Sequence, residues 1–266
     1  MENIRGKLRN SKRIVIKVGT STLTYDTGKV NFTRIDKLAR VVSDLANQDR
    51  EVVLVTSGAI GVGVGKLKLM EKPKTTREKQ AVAAVGQCEL MHIYSKFFSE
   101  YGHVVGQILL TRDVVESDHR RQNVINTFEN LLQKEIIPIV NENDSVAVEE
   151  IEFGDNDTLS AIVADLIKAD LLIILSDIDG FYDSDPRKNQ DSRLIPVINE
   201  VTPEIEECAG GAGTNRGTGG MATKISAAKI ATAAGVNMVI ANGKNPEAIM
   251  DIINGCNVGS LFLANI

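Results

Sequence analysis

An α/β protein built on a mainly parallel sheet, layered between helices, is the fold class this 266-residue chain predicts. Three observations carry that reading. Six short runs are rich in β-branched residues and nearly continuous in apolar character, as strands covered on both faces must be. They are RIVIKV (13–18), EVVLVT (51–56), VVGQILL (104–110), IIPIV (136–140), LLIIL (171–175) and NMVIA (237–241). Helical patterns alternate with these runs, and strand–helix–strand crossovers favour parallel pairing. Finally, no Pro/Gly/Ser-rich linker or internal repeat divides the chain, so a single domain over residues 1–266 is expected.

Taken in order, the chain opens on the basic stretch RGKLRNSKR (5–13), expected to be a solvated lead-in. The first strand carries Lys17 inside an otherwise apolar run, just before Gly19-Thr20-Ser21. A buried lysine is costly unless something anionic meets it. Phe32, Ile35, Leu38, Val42 and Leu45 then mark one helical stripe behind the candidate cap Asn31. The second strand runs into TSGAIGVGVGK (56–66), with glycines at 58, 61, 63 and 65. Free backbone N–H groups at such a turn bind anions, although close packing or positive φ calls for the same glycines. The stretch is not the GxxxxGK[ST] phosphate loop, because position 60 is Ile and Leu67 follows Lys66.

Helices are expected over 76–99 and 119–134, flanking the third strand, and the fourth strand ends in NENDSV (141–146). VAVEEIEFG (146–154) alternates apolar and acidic residues and reads as a peripheral hairpin strand. It leads to Asp155, Asn156 and Asp157 before an apolar helix over 157–169, and one of the three would serve simply as its N-cap. The fifth strand is followed by SDIDGFYDSDPR (176–187), whose composition suits turns. GGAGTNRGTGGMATKISAAK (210–229) holds six glycines up to Gly220, and then Lys224 enters a helix over 220–234. A mobile glycine stretch feeding a helix N-terminus suits a phosphate chain. The sixth strand and a helix over 246–254 complete the alternation.

Composition narrows the function. A net charge of −5 argues against broad nucleic-acid or membrane-surface binding. No apolar run approaches the roughly 20 residues of a membrane span, and the polar start of the chain does not resemble a signal peptide. Cys88, Cys208 and Cys256 are odd in number and widely spaced, which suits neither a disulfide framework nor a zinc site and fits a cytoplasmic protein. His92, His103 and His119 lie apart, without a Ser/Asp partner arrangement. Carboxylates at 141–144 and 155–157 raise hydrolysis and metal ligation as options, but no histidine joins them at ligand-like spacing.

Five stretches stand in an order that resembles the amino acid kinase family over residues 11–264. They are IVIKVGTSTLT, VLVTSGAIGVG, PIVNENDSVAVEEIEFGDNDTLSAIVA, LSDIDGFYDSDPR and GTGGMATKISAAKIATAAG. The combination of NENDSV…GDND with GTGGMATK resembles the members that act on L-glutamate. The resemblance implies an α/β/α sandwich that transfers the ATP γ-phosphoryl group to the glutamate side-chain carboxylate. The product would be L-glutamyl 5-phosphate, at the first step of proline biosynthesis. Kinases of another small carboxylate or carbamate, and a non-catalytic nucleotide and amino-acid sensor, are the alternatives on the same fold.

Carried over by motif, Lys17 and Lys224 correspond to phosphate-contacting lysines and Asp157 to the carboxylate that orients them. Ser57, Asp144 and Asn156 match acceptor-binding positions, with Asp155 a weaker addition. Ser176 and Asp177 match nucleotide-binding segments, as do Thr218, Gly219, Gly220, Met221, Ala222, Thr223 and Lys224; the family often has Thr where Ser176 stands. The N-terminal part would mainly bind acceptor and the C-terminal part nucleotide. The resemblance further implies Mg²⁺ held mainly by ATP phosphates, homo-oligomers, and proline as a feedback inhibitor. Many members continue into a C-terminal domain of the PUA type, which this chain is expected to lack. The chemistry agrees: phosphoryl transfer needs charge neutralisation and alignment. A carboxylate acceptor is already ionised at neutral pH and needs no general base.

Overall fold

The computed structural model describes residues 4–25, 29–112, 114, 117–146, 155–210 and 220–265. In chain order the elements begin with a 3-10 helix (Ile4–Asn10), β1 (Arg13–Val18), α1 (Thr20–Leu23), α2 (Phe32–Ala46), β2 (Glu51–Thr56) and α3 (Ala59–Leu67). Next come α4 (Thr76–Glu100), β3 (Val105–Leu110), α5 (Asp118–Gln133), β4 (Ile137–Glu142), α6 (Asn156–Leu166) and β5 (Leu171–Ser176). The last are β6 (Val197–Ile198), α7 (Pro203–Gly210), α8 (Met221–Ala233), β7 (Asn237–Asn242), α9 (Ala248–Ile253) and β8 (Ser260–Phe262). Two units arise: one joins Met1–Lys17 to Gly154–Ile266, and the other is Val18–Phe153.

In the unit Val18–Phe153 the strands stand in the order β3-β4-β2, all parallel. β4 outruns its apolar core by two residues because Asn141 and Glu142 still pair with Leu109 and Leu110. In α2, Ile35, Leu38, Val42 and Leu45 are buried, and Asn31 Oδ1 accepts the Arg34 N–H as the cap. Phe32 departs from the expected stripe: it is 56% exposed at the first helical position. The glycines of 56–66 serve backbone geometry. Gly58 caps α3 at φ 97°, a left-handed conformation that side-chain-bearing residues rarely adopt. A Cβ on Gly63 would collide with Val82 O, and one on Gly86 with Ala59 O, so α3 and α4 pack backbone to backbone.

The other unit orders its strands β1-β5-β7-β8-β6. β5 and β7 pair in parallel from Leu171↔Asn237 to Ser176↔Asn242, and every residue of β5 is buried. Burial at successive positions means both faces are covered, as a helix–sheet–helix sandwich requires. β8 runs antiparallel to β7 and parallel to β6, so the sheet is mainly rather than wholly parallel. The basic lead-in is corrected here. Arg5 is only 6% exposed, and its guanidinium donates to the carbonyls of Pro196, Cys256, Val258 and Gly259. Five planar donors suit this carbonyl cluster, so the stretch fastens the chain start to the β8 region.

Candidate active site

Lys17 is carried by β1, Asp157 by the first turn of α6, and Lys224 by the first turn of α8. The fold brings all three together. Lys17 Nζ lies 2.7 Å from Asp157 Oδ1, and Lys224 Nζ lies 3.0 Å from Oδ2. Asp157 is fully buried, while the lysines are 8% and 5% exposed. The lysine of the opening strand therefore meets a carboxylate, shared with a second lysine. Burial alone would push the Asp157 carboxyl up, but the charges of Lys17 and Lys224 outweigh it and hold the group below the ordinary range. Two lysines thus share one buried carboxylate, with the Asp155 carboxyl close enough to feel the charges of both Lys17 and Asp157.

Local sequence explains how Asp157 becomes available. Asp155, in extended conformation, is the N-cap of α6, and its Oδ1 accepts the N–H groups of Asp157 and Thr158 at 2.6 and 2.9 Å. Of the three residues from which the cap was expected, Asp155 supplies it. Burial, reinforced by the Asp157 charge, pushes the Asp155 carboxyl up against the opposing pull of these N–H bonds. Asn156 is the first residue of α6 and half-buried.

Gly220 caps α8 without a side-chain bond, so the N-terminal N–H groups of that helix point toward whatever stands before it. Met221 and Thr223 are half-buried and Ala222 is exposed. Thr223 Oγ lies 2.8 Å from Gly220 O and 3.1 Å from Asp157 Oδ2, and its single proton serves one at a time. Ser176, at the end of β5, donates to Asp177 Oδ1 at 3.2 Å, and Arg187 Nη2 lies 3.2 Å from Asp177 Oδ2. Thr218 and Gly219 lie outside the described residues, as do most of the glycine stretch whose mobility was expected and the hairpin expected over 146–154.

In the unit Val18–Phe153, Ser57 follows β2 and donates its N–H to Val18 O at 3.1 Å, while Asp144 stands in the turn after β4. Sequence reasoning overlooked two buried polar pairs there. Thr56 meets Tyr94 at 2.8 Å, and Asn141 Nδ2 donates to Gln87 Oε1 at 2.9 Å. The available signal was a glutamine in a helical pattern whose neighbours Ala83, Gly86 and Leu90 all bury.

Chemically, a buried cationic pair beside a helix N-terminus can bind and stabilise a phosphoryl group. Among the described residues, no three His, Cys, Asp or Glu gather as a metal site, and both Asp157 oxygens face lysines.

Residues 12–242 match the amino acid kinase family. The glutamate 5-kinase of Clostridium perfringens is 66% identical over 265 residues, covering 98% of each chain. That of Listeria innocua is 60% identical over 97% of this chain and 95% of its own. Among solved structures, carbamate kinase from Giardia lamblia bound to AMP-PNP superposes with a TM-score of 0.69 at 15% identity, covering 97% of this chain and 100% of that one. A UMP kinase from Bacillus anthracis gives 0.65 at 16% identity, over 96% of this chain and 97% of its own. At such identities these two neighbours speak for the fold alone.

Proposed function

Because the chain belongs to the amino acid kinase family, we propose that it transfers the γ-phosphoryl group of ATP to the side-chain carboxylate of L-glutamate. The product is L-glutamyl 5-phosphate, and the reaction is the first step of proline biosynthesis. The observation that carries the chemistry is the buried Lys17–Asp157–Lys224 cluster; the choice of acceptor rests on relatives of 66% and 60% identity named for it.

Lys17 and Lys224 neutralise the phosphoryl oxygens while negative charge shifts between two anions. Asp157 keeps both ammonium groups at fixed places before substrate arrives, so little reorganisation is left for the reaction. Ser57, Asp144 and Asn156 hold glutamate. Ser176, Asp177 and the segment from Thr218 to Lys224 hold ATP, with the helix N-terminus at Gly220 facing its phosphates. The N-terminal part of the chain serves mainly the acceptor and the C-terminal part mainly the nucleotide. Mg²⁺ would be carried mainly by the phosphates of ATP, and both Asp157 oxygens already face lysines. Homo-oligomers, proline inhibition and a cytoplasmic place of work belong to the same proposal. No described helix is long and apolar enough to cross a membrane.

The test is ATP turnover with L-glutamate, N-acetylglutamate, aspartate, carbamate and UMP, with hydroxylamine present to trap an acyl phosphate. Hydroxamate is expected from L-glutamate. Hydroxamate from N-acetylglutamate but not from free glutamate would overturn the acceptor assignment.

A further inference from the structure

Two polar side chains on one helix reach the ends of two strands from which proposed acceptor contacts hang. Gln87 and Tyr94 are seven residues apart on α4, about two turns, and so share a face. Both are buried. Tyr94 Oη lies 2.8 Å from Thr56 Oγ1, and the Thr56 hydroxyl also lies 3.3 Å from Ser57 O. Gln87 Oε1 accepts Asn141 Nδ2, and Asn141 Oδ1 accepts the Glu142 N–H, both at 2.9 Å. Thr56 and Asn141 each follow the paired residues Val55 and Val140 of neighbouring parallel strands. Residues side by side in a parallel pair point to the same face, here toward α4. One residue beyond Thr56 is Ser57; three beyond Asn141 is Asp144.

Burying these polar atoms has no packing advantage over leucine or phenylalanine. Gln87 Nε2 is buried with no partner, which a purely structural position would tend to eliminate. Gly86, beside Gln87, lets α4 press against Ala59 O at the start of α3, so the helix bearing the two groups is itself closely seated. Hydrogen bonds fix direction where apolar contacts do not.

We infer that α4 sets the acceptor geometry, with Gln87 and Tyr94 acting as positioning residues for Asp144 and Ser57. The inference rests on the acceptor roles proposed above. Losing one such bond should loosen glutamate binding and leave nucleotide handling alone.

Steady-state kinetics and thermal midpoints of six variants test it. Tyr94→Phe, Thr56→Val and Gln87→Leu should each raise the glutamate KM by about three- to tenfold, with kcat and ATP KM within about twofold of the parent. Thr56→Ser, which keeps the hydroxyl, should behave as the parent. Val82→Ala, a purely apolar truncation on α4 twelve residues before Tyr94, should lower the thermal midpoint without moving the glutamate KM. Asp144→Ala reports on the acceptor reading itself. If it raises the glutamate KM while Tyr94→Phe and Gln87→Leu leave that constant within about twofold, α4 is only scaffold and the inference is overturned. If Asp144→Ala has no effect, the acceptor reading has failed and the inference falls with it. Should Gln87→Leu not fold, Tyr94→Phe and Thr56→Val decide, since each removes a single functional group.

Discussion

Lys17 takes its meaning from where its charge is held. A lysine at the end of a strand can bury its stem and send its ammonium to water. Here the ammonium stays 2.7 Å from a fully buried carboxylate. Lys17→Met keeps much of the stem and removes the charge. We expect kcat to fall about 10²–10³-fold, on the scale of a lost oxyanion donor. The glutamate KM should move much less, because the contact strengthens in the transition state. Turnover within about threefold of the parent, in a normally folded variant, would refute the role. Asp157 makes a different demand. Its folded pKa lies below the ordinary value, so its stabilisation is present above the unfolded pKa of about 4 and fades as pH falls through the folded pKa. Asp157→Asn removes the counter-charge that two buried lysines share and should cost about 3–5 kcal/mol at neutral pH. Urea midpoints across acidic pH should fall less steeply in the variant than in the parent. Some of this was readable from residues: a lysine inside an apolar strand announces that a partner is needed. The choice of Asp155 as the cap was not readable, because three consecutive residues could all cap and only backbone angles distinguish them. Nor was the burial of Arg5, whose carbonyl partners lie 191 to 254 residues away.

At the level of elements, the six long strands were legible because continuous apolar runs leave few alternatives. β6 and β8, with two and three residues, are too short to show any period, and they pair only because long-range packing brings their segments together. The glycine turn after β2 was legible as a need for glycine, and the structure divides that need. Gly58 answers to its φ of 97°, Gly63 to the approach of α4. Its counterpart Gly86 sits in a helical pattern where nothing in the sequence marks the opposing backbone. Gly86→Ala must push α4 away from Ala59 O and should cost about 1–3 kcal/mol. At Gly61 a Cβ meets only the Thr20 methyl at 3.5 Å, so Gly61→Ala should match or exceed the parent, given the roughly 1 kcal/mol helix preference for alanine. Thermal midpoints of the two variants check the contrast; equal losses would contradict it.

For the whole molecule, strand–helix alternation made the fold class legible, while the pairing of Met1–Lys17 with Gly154–Ile266 was not. That pairing is made by β1 beside β5 and by bonds such as Asp170 N–H to Arg13 O, which span most of the chain. It places Lys17 in the same unit as Asp157 and Lys224, as the proposed phosphoryl site requires. The central claim is that a glutamate side-chain carboxylate oxygen attacks the γ-phosphorus. Glutamate labelled with ¹⁸O in that carboxylate, turned over with MgATP and hydroxylamine, tests it most directly. Hydroxylamine attacks the acyl carbon and expels phosphate with the bridging oxygen. The account predicts glutamate-dependent phosphate carrying one ¹⁸O from fully labelled carboxylate; unlabelled phosphate, formed at the same rate without glutamate, would contradict it.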